Sequence, residues 1–216
     1  MRTLAAFMMV AILGSASATG QAQLSTIYSF SGSPDGASPV DKLVFDKAGN
    51  LYGTTESGGA NGWGSVFELS PNGDGTWTES TIYSFCQQAN CSDGSNPLDA
   101  LILDAVGNLY GTTSTGGGSK CPPGGDGCGT VFELSPPLLP GGAWTESVLY
   151  DFCQIPGDEN CMDGAKPSGK LIFDATGNLY GTASSGAGGV LFELLPGLDG
   201  WTESVLYTFC VHGDLH

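Results

Sequence analysis

The sequence predicts an all-β protein, a β-propeller-like array of four-stranded antiparallel blades. Glycine supplies 35 of the 216 residues, which excludes a helical bundle because each glycine inside a helix costs about 1 kcal/mol relative to alanine. Four short motifs recur in the same order along the chain. Between them lie short segments rich in β-branched and aromatic residues and bounded by turn residues, a pattern typical of strands.

The repeats have a period of about 60 residues, since Tyr-x-Phe begins at Tyr28, Tyr83, Tyr150 and Tyr207. The other three motifs are Gly-Asn-Leu-Tyr-Gly-Thr, Phe-Glu-Leu and Trp-Thr-Glu-Ser. They begin at Gly49, Gly107 and Gly177, at Phe67, Phe132 and Phe192, and at Trp77, Trp144 and Trp201. We expect repeat units at 24–80, 81–147 and 148–204, with a truncated fourth at 205–216. Closed propellers have about four to eight blades, so three units predict an incomplete ring that begins with a leading strand at 24–30.

Each unit is expected to contain four strands, the first at Leu43–Asp46 and its equivalents. Asp46 and Gly49 suit a tight hairpin turn, because aspartate bonds turn backbone and glycine accepts a positive φ. In the last strand we expect Trp201, Val205, Tyr207 and Phe209 on one face and Leu206 on the other. A sheet that is apolar on both faces must be covered by its neighbours. An open stack of β-meanders is the alternative architecture.

The first eighteen residues have the layout of a secretory signal peptide. Arg2 precedes an apolar run at Leu4–Leu13, and Ala16-Ser17-Ala18 is a small-residue cleavage site. The run is shorter than the roughly 20 residues of a membrane span, and we see no second segment of that length. The sequence therefore predicts an exported repeat region at 19–216, secreted or held at the cell surface, with the periplasm as an alternative.

The charge balance excludes one class of partner. The chain has 22 acidic and 6 basic residues, a formal net charge of −16. A protein that binds nucleic acid without sequence preference needs a cationic face, so nucleic acid is not an expected partner. Extracellular polysaccharide and another copy of the chain remain open as partners.

The cysteines follow the repeats. The register favours three local disulfides in loops, with six to nine residues per closed loop and about 2–2.6 kcal/mol each. The pairs are Cys86–Cys91, Cys121–Cys128 and Cys153–Cys161. Cys210 stands where a fourth pair would begin and is expected to be unpaired, which leaves an intermolecular disulfide open. Zinc is the rival interpretation, although these pairs lack nearby histidine and an exported chain favours disulfides.

No catalytic, metal or cofactor site is predicted. The only histidines, His212 and His216, lie beyond the last repeat, so the repeats lack an obvious histidine base. Asp46 and its equivalents suit turns better than calcium, and Gly164–Leu171 fails the phosphate-loop pattern because Leu171 replaces the magnesium-binding Ser or Thr. Trp63, in a glycine-rich loop, is the one possible ligand contact, by stacking on a sugar, unless it plugs the end of its own blade.

Acidic residues keep an enzymatic alternative open. Two sets of glutamates recur at matched strand positions, which indicates a structural or solvated role. These sets are Glu68, Glu133 and Glu193, and Glu79, Glu146 and Glu203. Glu56, Asp158 and Glu159 are unrepeated, and a glycoside hydrolase needs only one carboxylate pair.

The combined motif series resembles a known family. It runs Asp-Gly-x-x-Pro (beginning at Asp35, Asp93 and Asp163), Leu-[Val/Ile]-[Phe/Leu]-Asp, Gly-Asn-Leu-Tyr-Gly-Thr, Val-Phe-Glu-Leu and Tyr-x-Phe. This resembles the GloVer, or Gloeo_Verruco, tandem-repeat proteins of bacterial surfaces. The resemblance implies a propeller-like fold, export, usually a C-terminal sorting anchor, and no known catalytic activity.

These observations lead to three hypotheses about function. The first is an exported, non-catalytic repeat protein that acts as a surface-interaction or binding scaffold. The second is an extracellular carbohydrate-active enzyme that uses paired carboxylates. The third is a truncated remnant without function, suggested by the incomplete last unit.

Overall fold

Three four-stranded antiparallel sheets make up the described part of the chain. A computed structural model describes residues 24–118, 127–139, 141–155, 160–186 and 188–209. Within these ranges the only helical element is a 3-10 turn at Ala89–Cys91, and no helix is long and apolar enough to cross a membrane. The prediction of an all-β chain with four-stranded antiparallel units is confirmed.

Each sheet is a simple meander, in which consecutive strands are hydrogen-bonded neighbours. The first sheet contains β1 (Ala37–Phe45), β2 (Leu51–Ser57), β3 (Ser65–Pro71) and β4 (Trp77–Ser84). The second contains β5 (Ile102–Leu103), β6 (Leu109–Thr113), β7 (Thr130–Ser135) and β8 (Thr145–Asp151). The third contains β9 (Ala165–Phe173), β10 (Leu179–Ser185), β11 (Val190–Gly197) and β12 (Gly200–Thr208).

The strand limits differ from the expected ones at the first strand of each unit. Strands β1 and β9 have nine residues and begin well before the predicted leucine, whereas β5 has only two. The unit limits expected at residues 80, 147 and 204 fall inside β4, β8 and β12. Each of these strands therefore spans two sequence units.

The residues that flank the last strand of the second sheet contact both neighbouring sheets, which corrects one sequence expectation. The ring of Trp144, immediately before β8, lies 5.9 Å from that of Tyr52 in the first sheet. Just beyond β8, the ring of Phe152 lies 5.1 Å from that of Phe192 in the third sheet. The expectation that the Trp and Tyr-x-Phe motifs share a face is therefore wrong. Leu149 is an extra residue in the β7–β8 register, and such a bulge reverses the alternation of side chains.

The apolar core lies between the sheets. One cluster joins the first and second sheets around Phe85 and Phe132, and another joins the second and third around Phe152 and Phe192. These four phenylalanines are at most 1% exposed. A smaller cluster on the outer side of the first sheet contains Phe67. Stacking against neighbours thus buries the faces that a single sheet would leave in water.

The glycine of Leu-Tyr-Gly-Thr makes room for this core. A Cβ atom on Gly111 would lie 2.6 Å from Cζ of Phe132 and 2.9 Å from Cδ2 of Leu101. Gly53 is equally restricted, by Leu43 and Phe67. The phenylalanine of Phe-Glu-Leu therefore packs directly over a glycine on the neighbouring strand, where a larger residue would overpack the core.

Candidate functional site

A set of three polar residues recurs at both sheet boundaries and at the outer side of the first sheet. It contains the tyrosine of Tyr-x-Phe, the aspartate of Asp-Gly and the glutamate of Trp-Thr-Glu-Ser, and we call it the boundary triad. The three triads are Tyr28–Asp35–Glu79, Tyr83–Asp93–Glu146 and Tyr150–Asp163–Glu203. In the second and third triads the tyrosine lies on the last strand of one sheet, whereas the glutamate lies on the last strand of the next sheet.

The aspartate is the centre of each triad. The hydroxyl groups of Tyr83 and Tyr150 donate to Oδ2 of Asp93 and Asp163, both at 2.8 Å. Backbone N–H groups donate as well, Gln87 to Asp93 at 2.9 Å and Gln154 to Asp163 at 2.8 Å. Both aspartates are fully buried. Each boundary therefore holds one buried carboxylate that fixes both a neighbouring tyrosine and the loop that follows it.

The first triad has the same chemistry at the outer side of the first sheet. Tyr28 donates to Asp35 Oδ2 at 2.8 Å, and this hydrogen bond raises the pKa of Tyr28 to about 12. Burial opposes ionisation of Asp35, but hydrogen bonds from Tyr28 and Ser31 outweigh it and lower the pKa of Asp35. The carboxylate form of Asp35 is thus the one that its surroundings stabilise.

The glutamates carry the largest electrostatic cost. Burial, together with the nearby Asp93 and Asp163 charges, raises the pKa of Glu146 and Glu203 to about 7. Oε1 of Glu146, Oε1 of Glu203 and Oδ1 of Asp163 are buried without a hydrogen-bond partner among the described residues. Protonation of the glutamate removes one of two adjacent buried charges, so the acid form is stabilised near neutral pH.

The triads are suited to holding sheets together rather than to turning over a substrate. A general acid or base must reach the reacting group of its substrate. Asp93 and Asp163 are closed off from solvent, and the tyrosine hydroxyl and loop backbone already occupy them. The same arrangement recurs at successive boundaries, as expected for a structural contact.

The turn aspartates are also in structural use. Oδ1 of Asp46 accepts the N–H groups of Ala48 and Asn50 at 2.8 and 2.9 Å. Gly49 has a φ of 92° in the same turn. Asp104 and Asp174 make the equivalent bonds. The hairpin role predicted for these residues is observed, and this bonding occupies the oxygens considered for calcium.

The disulfide loops lie together with several cysteine-free loops at one edge of the sheets, where backbone hydrogen bonds join them. We call this edge the rim, and it contains residues 31–36, 58–64, 85–97, 114–118, 127–129, 152–155 and 160–167. Cys86 and Cys91 lie at disulfide distance, as do Cys153 and Cys161. Cys128 is disulfide-bonded, whereas Cys121 and Cys210 lie outside the described residues.

Three rim sulfurs form a cluster without being a metal site. The Sγ atoms of Cys128, Cys153 and Cys161 lie within 4.8 Å of one another and are buried. Zinc binds the thiolate form of cysteine. Because all three cysteines are disulfide-bonded, the cluster offers no thiolate.

Trp63 lies on the rim with a partly exposed ring. Its side chain is 41% exposed, and its backbone oxygen accepts the N–H of Asn96 at 2.8 Å. Asn61 donates from Nδ2 to the backbone oxygen of Phe85 at 2.9 Å, which ties the loop of Trp63 to the first disulfide loop. Hydrogen bonds thus hold the loop of Trp63 in place, while its side chain stays partly exposed to solvent.

The remaining residues singled out in the sequence do not gather into a site. Glu56 is exposed on β2, whereas Asp158, Glu159, His212 and His216 lie outside the described residues. The segment Gly164–Leu171 belongs largely to strand β9, where its lysines are not part of a phosphate loop.

Sequence reasoning missed the boundary triad. The aspartate was noticed only as part of Asp-Gly-x-x-Pro, and the glutamate only as a repeated strand residue. The available signal was the recurrence of all three in a fixed order, seven to thirteen residues separating each tyrosine from its aspartate. The number of residues between tyrosine and aspartate varies because the intervening loops differ in length. The pairing of the two residues is therefore hard to recognise in the sequence.

Three stacked antiparallel sheets, joined by a recurring triad, define a tandem-repeat protein. The family model described as the Gloeobacter/Verrucomicrobia repeat matches residues 15–215. The chain therefore belongs to this repeat family, and the resemblance seen in its motifs is confirmed. No curated protein matches the sequence.

Proposed function

We propose that this chain is an exported, non-catalytic scaffold with a propeller-like arrangement of sheets, whose rim binds extracellular polysaccharide. The observation that carries the proposal is the fixed conformation of the rim beside the open ring of Trp63. The proposal makes the sheets a support and the loops the contact surface, a common division of roles in β-proteins.

The rim concentrates strained backbone. Among the described residues, nine other than glycine have a positive φ. Two of them, Ser38 and Asp41, lie in β1. The other seven lie in rim loops: Cys86, Asn90, Cys91, Asn96, Cys153, Cys161 and Lys166. Such conformations cost of order 1–3 kcal/mol each and persist only where their surroundings enforce them. Disulfides and the buried aspartates provide that enforcement here. A rigid surface loses little entropy on binding, which favours a recognition role.

Two further features support a sugar ligand and export. An aromatic ring with one face open can stack on the apolar face of a sugar, and a net charge of −16 argues against anionic partners. Disulfides form and persist in oxidising compartments, and the first eighteen residues have the pattern of a signal peptide. The face-to-face core between successive sheets supports the propeller-like arrangement.

The test is a panel of neutral extracellular polysaccharides, measured for both binding and release of reducing sugar. We expect saturable binding without turnover, lost in Trp63→Ala. Leu138→Ala is the matched control, because Leu138 is fully exposed in the turn after β7, away from the rim. Turnover of any glycan would favour the enzyme hypothesis, and absence of binding across the panel would refute the proposal. Fractionation of cells that express the full chain tests export.

A further inference from the structure

The third sheet ends in an apolar face that no described residue covers. Leu206, Tyr207 and Phe209, which we call the terminal face, are 47%, 57% and 58% exposed. The rings of Tyr207 and Phe209 contact each other, with centroids 5.1 Å apart. Neither ring has a further aromatic partner in the described part of the chain.

The equivalent residues of the first two sheets are buried against a following sheet. Ile82 and Tyr83 pack into the cluster between the first and second sheets, and Leu149 and Tyr150 into the next cluster. Phe85 and Phe152 are 0% and 1% exposed. The terminal face is therefore chemically the same surface, without the sheet that covers it elsewhere.

The terminal face already has the conformation that the buried pairs adopt. The interplanar angle of Tyr207 and Phe209 is 78°, compared with 74° for Tyr83–Phe85 and 83° for Tyr150–Phe152. A partner would meet a preformed surface, so docking needs little rearrangement.

The rest of the third sheet is uncovered in the same way. Tyr180 is partly exposed and Thr182 is exposed. Their equivalents in the first two sheets are nearly closed off from solvent, at 6% or less: Tyr52, Tyr110, Thr54 and Thr112. The missing cover would therefore extend over a whole sheet face rather than over one end of β12.

The first sheet has a matching outer surface, which we call the socket: Phe67, Trp77, Asp35 and Phe45. Phe45 is 63% exposed, whereas its equivalent Phe173 packs on Tyr110 of the preceding sheet, with centroids 5.0 Å apart. Trp144, the equivalent of Trp77, likewise packs on the preceding sheet at Tyr52. The socket thus carries the contacts with which a sheet packs on its predecessor.

The chain covers the socket with a short segment of its own. Tyr28 donates to Asp35, and the ring of Phe30 lies 4.7 Å from that of Phe67. The leading strand expected at 24–30 is not observed, since these residues belong to no strand, and Leu24 is 97% exposed. Tyr28 and Phe30 therefore fill the place of a Tyr-x-Phe motif without the sheet that supports this motif at the other boundaries.

We propose that a second copy of this chain docks head to tail on the terminal face. Tyr207 and Phe209 of one copy replace Tyr28 and Phe30 of the other against Phe67. The phenol of Tyr207 donates to Asp35 of the second copy, as Tyr150 donates to Asp163. Tyr180 packs on Phe45 and Trp77 of the second copy, as Tyr110 packs on Phe173 and Tyr52 on Trp144.

The occupant follows from complementarity within one chain. No described socket packs against the terminal face. Among the described residues, the socket is covered only by Tyr28 and Phe30, which no strand supports. Two copies paired in this way contribute six sheets, within the range of about four to eight blades of closed propellers. Such a contact is heterologous, and it closes into a pair only when both interfaces form together.

The net charge of the chain opposes association of two copies, so the proposal predicts that dimerisation depends on salt concentration. Each copy carries a formal charge of −16, and like-charged proteins repel over the Debye length of about 8 Å at physiological salt. Dimerisation should therefore strengthen between about 0.05 and 0.5 M NaCl, as screening weakens the repulsion.

Sedimentation velocity of the leaderless full chain, over a wide concentration range, tests the proposal. Every protein carries Cys210→Ser, so that a covalent dimer is not counted. We expect twice the mass of one chain at high concentration, and monomers for Phe209→Ser and for Phe45→Ser. Leu138→Ser removes an exposed leucine that belongs neither to the terminal face nor to the socket, so this variant should still dimerise. Circular dichroism verifies that the exposed substitutions leave the fold intact.

A variant of the covering segment should have the opposite effect. Phe30→Ser weakens the segment that competes for the socket, so the dissociation constant should fall by about tenfold. A chain that stays monomeric at all concentrations, or a dimer that survives Phe209→Ser, overturns the proposal. Both results are independent of polysaccharide binding, so the proposed function can fail or hold separately.

Discussion

The hydroxyl of Tyr150 donates a hydrogen bond to Oδ2 of Asp163 at 2.8 Å, across the boundary between the second and third sheets. Tyr83 and Asp93 form the same bond across the preceding boundary. Apolar packing alone is not directional, whereas a buried hydrogen bond requires one relative position of its two partners. The tyrosine–aspartate pair therefore sets the register in which one sheet stacks on the next.

Tyr150→Phe should lower the free energy of unfolding by about 1–3 kcal/mol, because it removes a donor from a carboxylate that water cannot reach. Urea unfolding at neutral pH measures the loss. Tyr207→Phe is the matched control, since Tyr207 is exposed and its hydroxyl makes no hydrogen bond to a described residue. At concentrations too low for association, this control should change the free energy by less than about 0.5 kcal/mol. Equal effects of the two substitutions would contradict the role of the bond.

Stability should fall as the pH rises through the neutral range. Burial raises the pKa of Glu146 and Glu203 from 4.5 to about 7. Between these values the folded protein binds protons that the unfolded chain releases, so the free energy of unfolding decreases with increasing pH. We expect a higher melting temperature at about pH 5.5 than at about pH 8.

Two variants separate this effect from a general dependence on charge. Glu203→Gln removes the titrating group from its boundary and should flatten the decrease between these pH values. Glu56→Gln removes the same charge from an exposed position on β2 and should leave the slope unchanged. If the slope is the same in Glu203→Gln as in the parent protein, Glu203 is not the group responsible.

Gly111→Ala should destabilise the protein by about 1–3 kcal/mol, because the new methyl group overlaps the ring of Phe132. Combining it with Phe132→Leu, which removes the overlapping ring edge, tests this cause. The double substitution should cost less than the sum of the single ones, by at least about 0.5 kcal/mol. Strict additivity in chemical denaturation would show that the cost arises elsewhere.

Cys153→Ala with Cys161→Ala should lower the free energy of unfolding by about 2–3 kcal/mol, because the bond closes a short loop in the unfolded chain. Cys86→Ala with Cys91→Ala, which opens a slightly shorter loop, should cost about 2 kcal/mol. Peptide mapping of the protein purified without reductant should recover both linkages. Thiol-alkylated Cys153 in that map would contradict the pairing.

The repeat motifs predict the architecture well, because their information is local. Asp46 and Gly49 determine a hairpin within five residues, and this turn recurs as expected. The number of sheets, their four strands and their order follow from motif spacing. Residues that define a turn or a strand act over a few positions, so one sequence is enough to find them.

Local motifs did not predict which side chains of the last strand share a face, and they did not predict the boundary triad. The reversal between Trp144 and Phe152 depends on Leu149 bulging in its pairing with β7, which a period of two residues does not show. Tyr150 lies on the last strand of the second sheet, Glu203 lies on the last strand of the third, and Asp163 lies in the loop between the two sheets. Only stacking brings these three together, so their burial depends on tertiary structure.

Because a triad draws its tyrosine from one sheet and its glutamate from the next, every internal boundary has the same make-up. A recombination event that duplicates or deletes a stretch from one Tyr-x-Phe to the next leaves each remaining boundary chemically unchanged. Arrays of different length can thus arise from unequal crossing-over without any compensating substitution. Proteins that arise from such events would differ in length, while the residues at their sheet boundaries stayed the same.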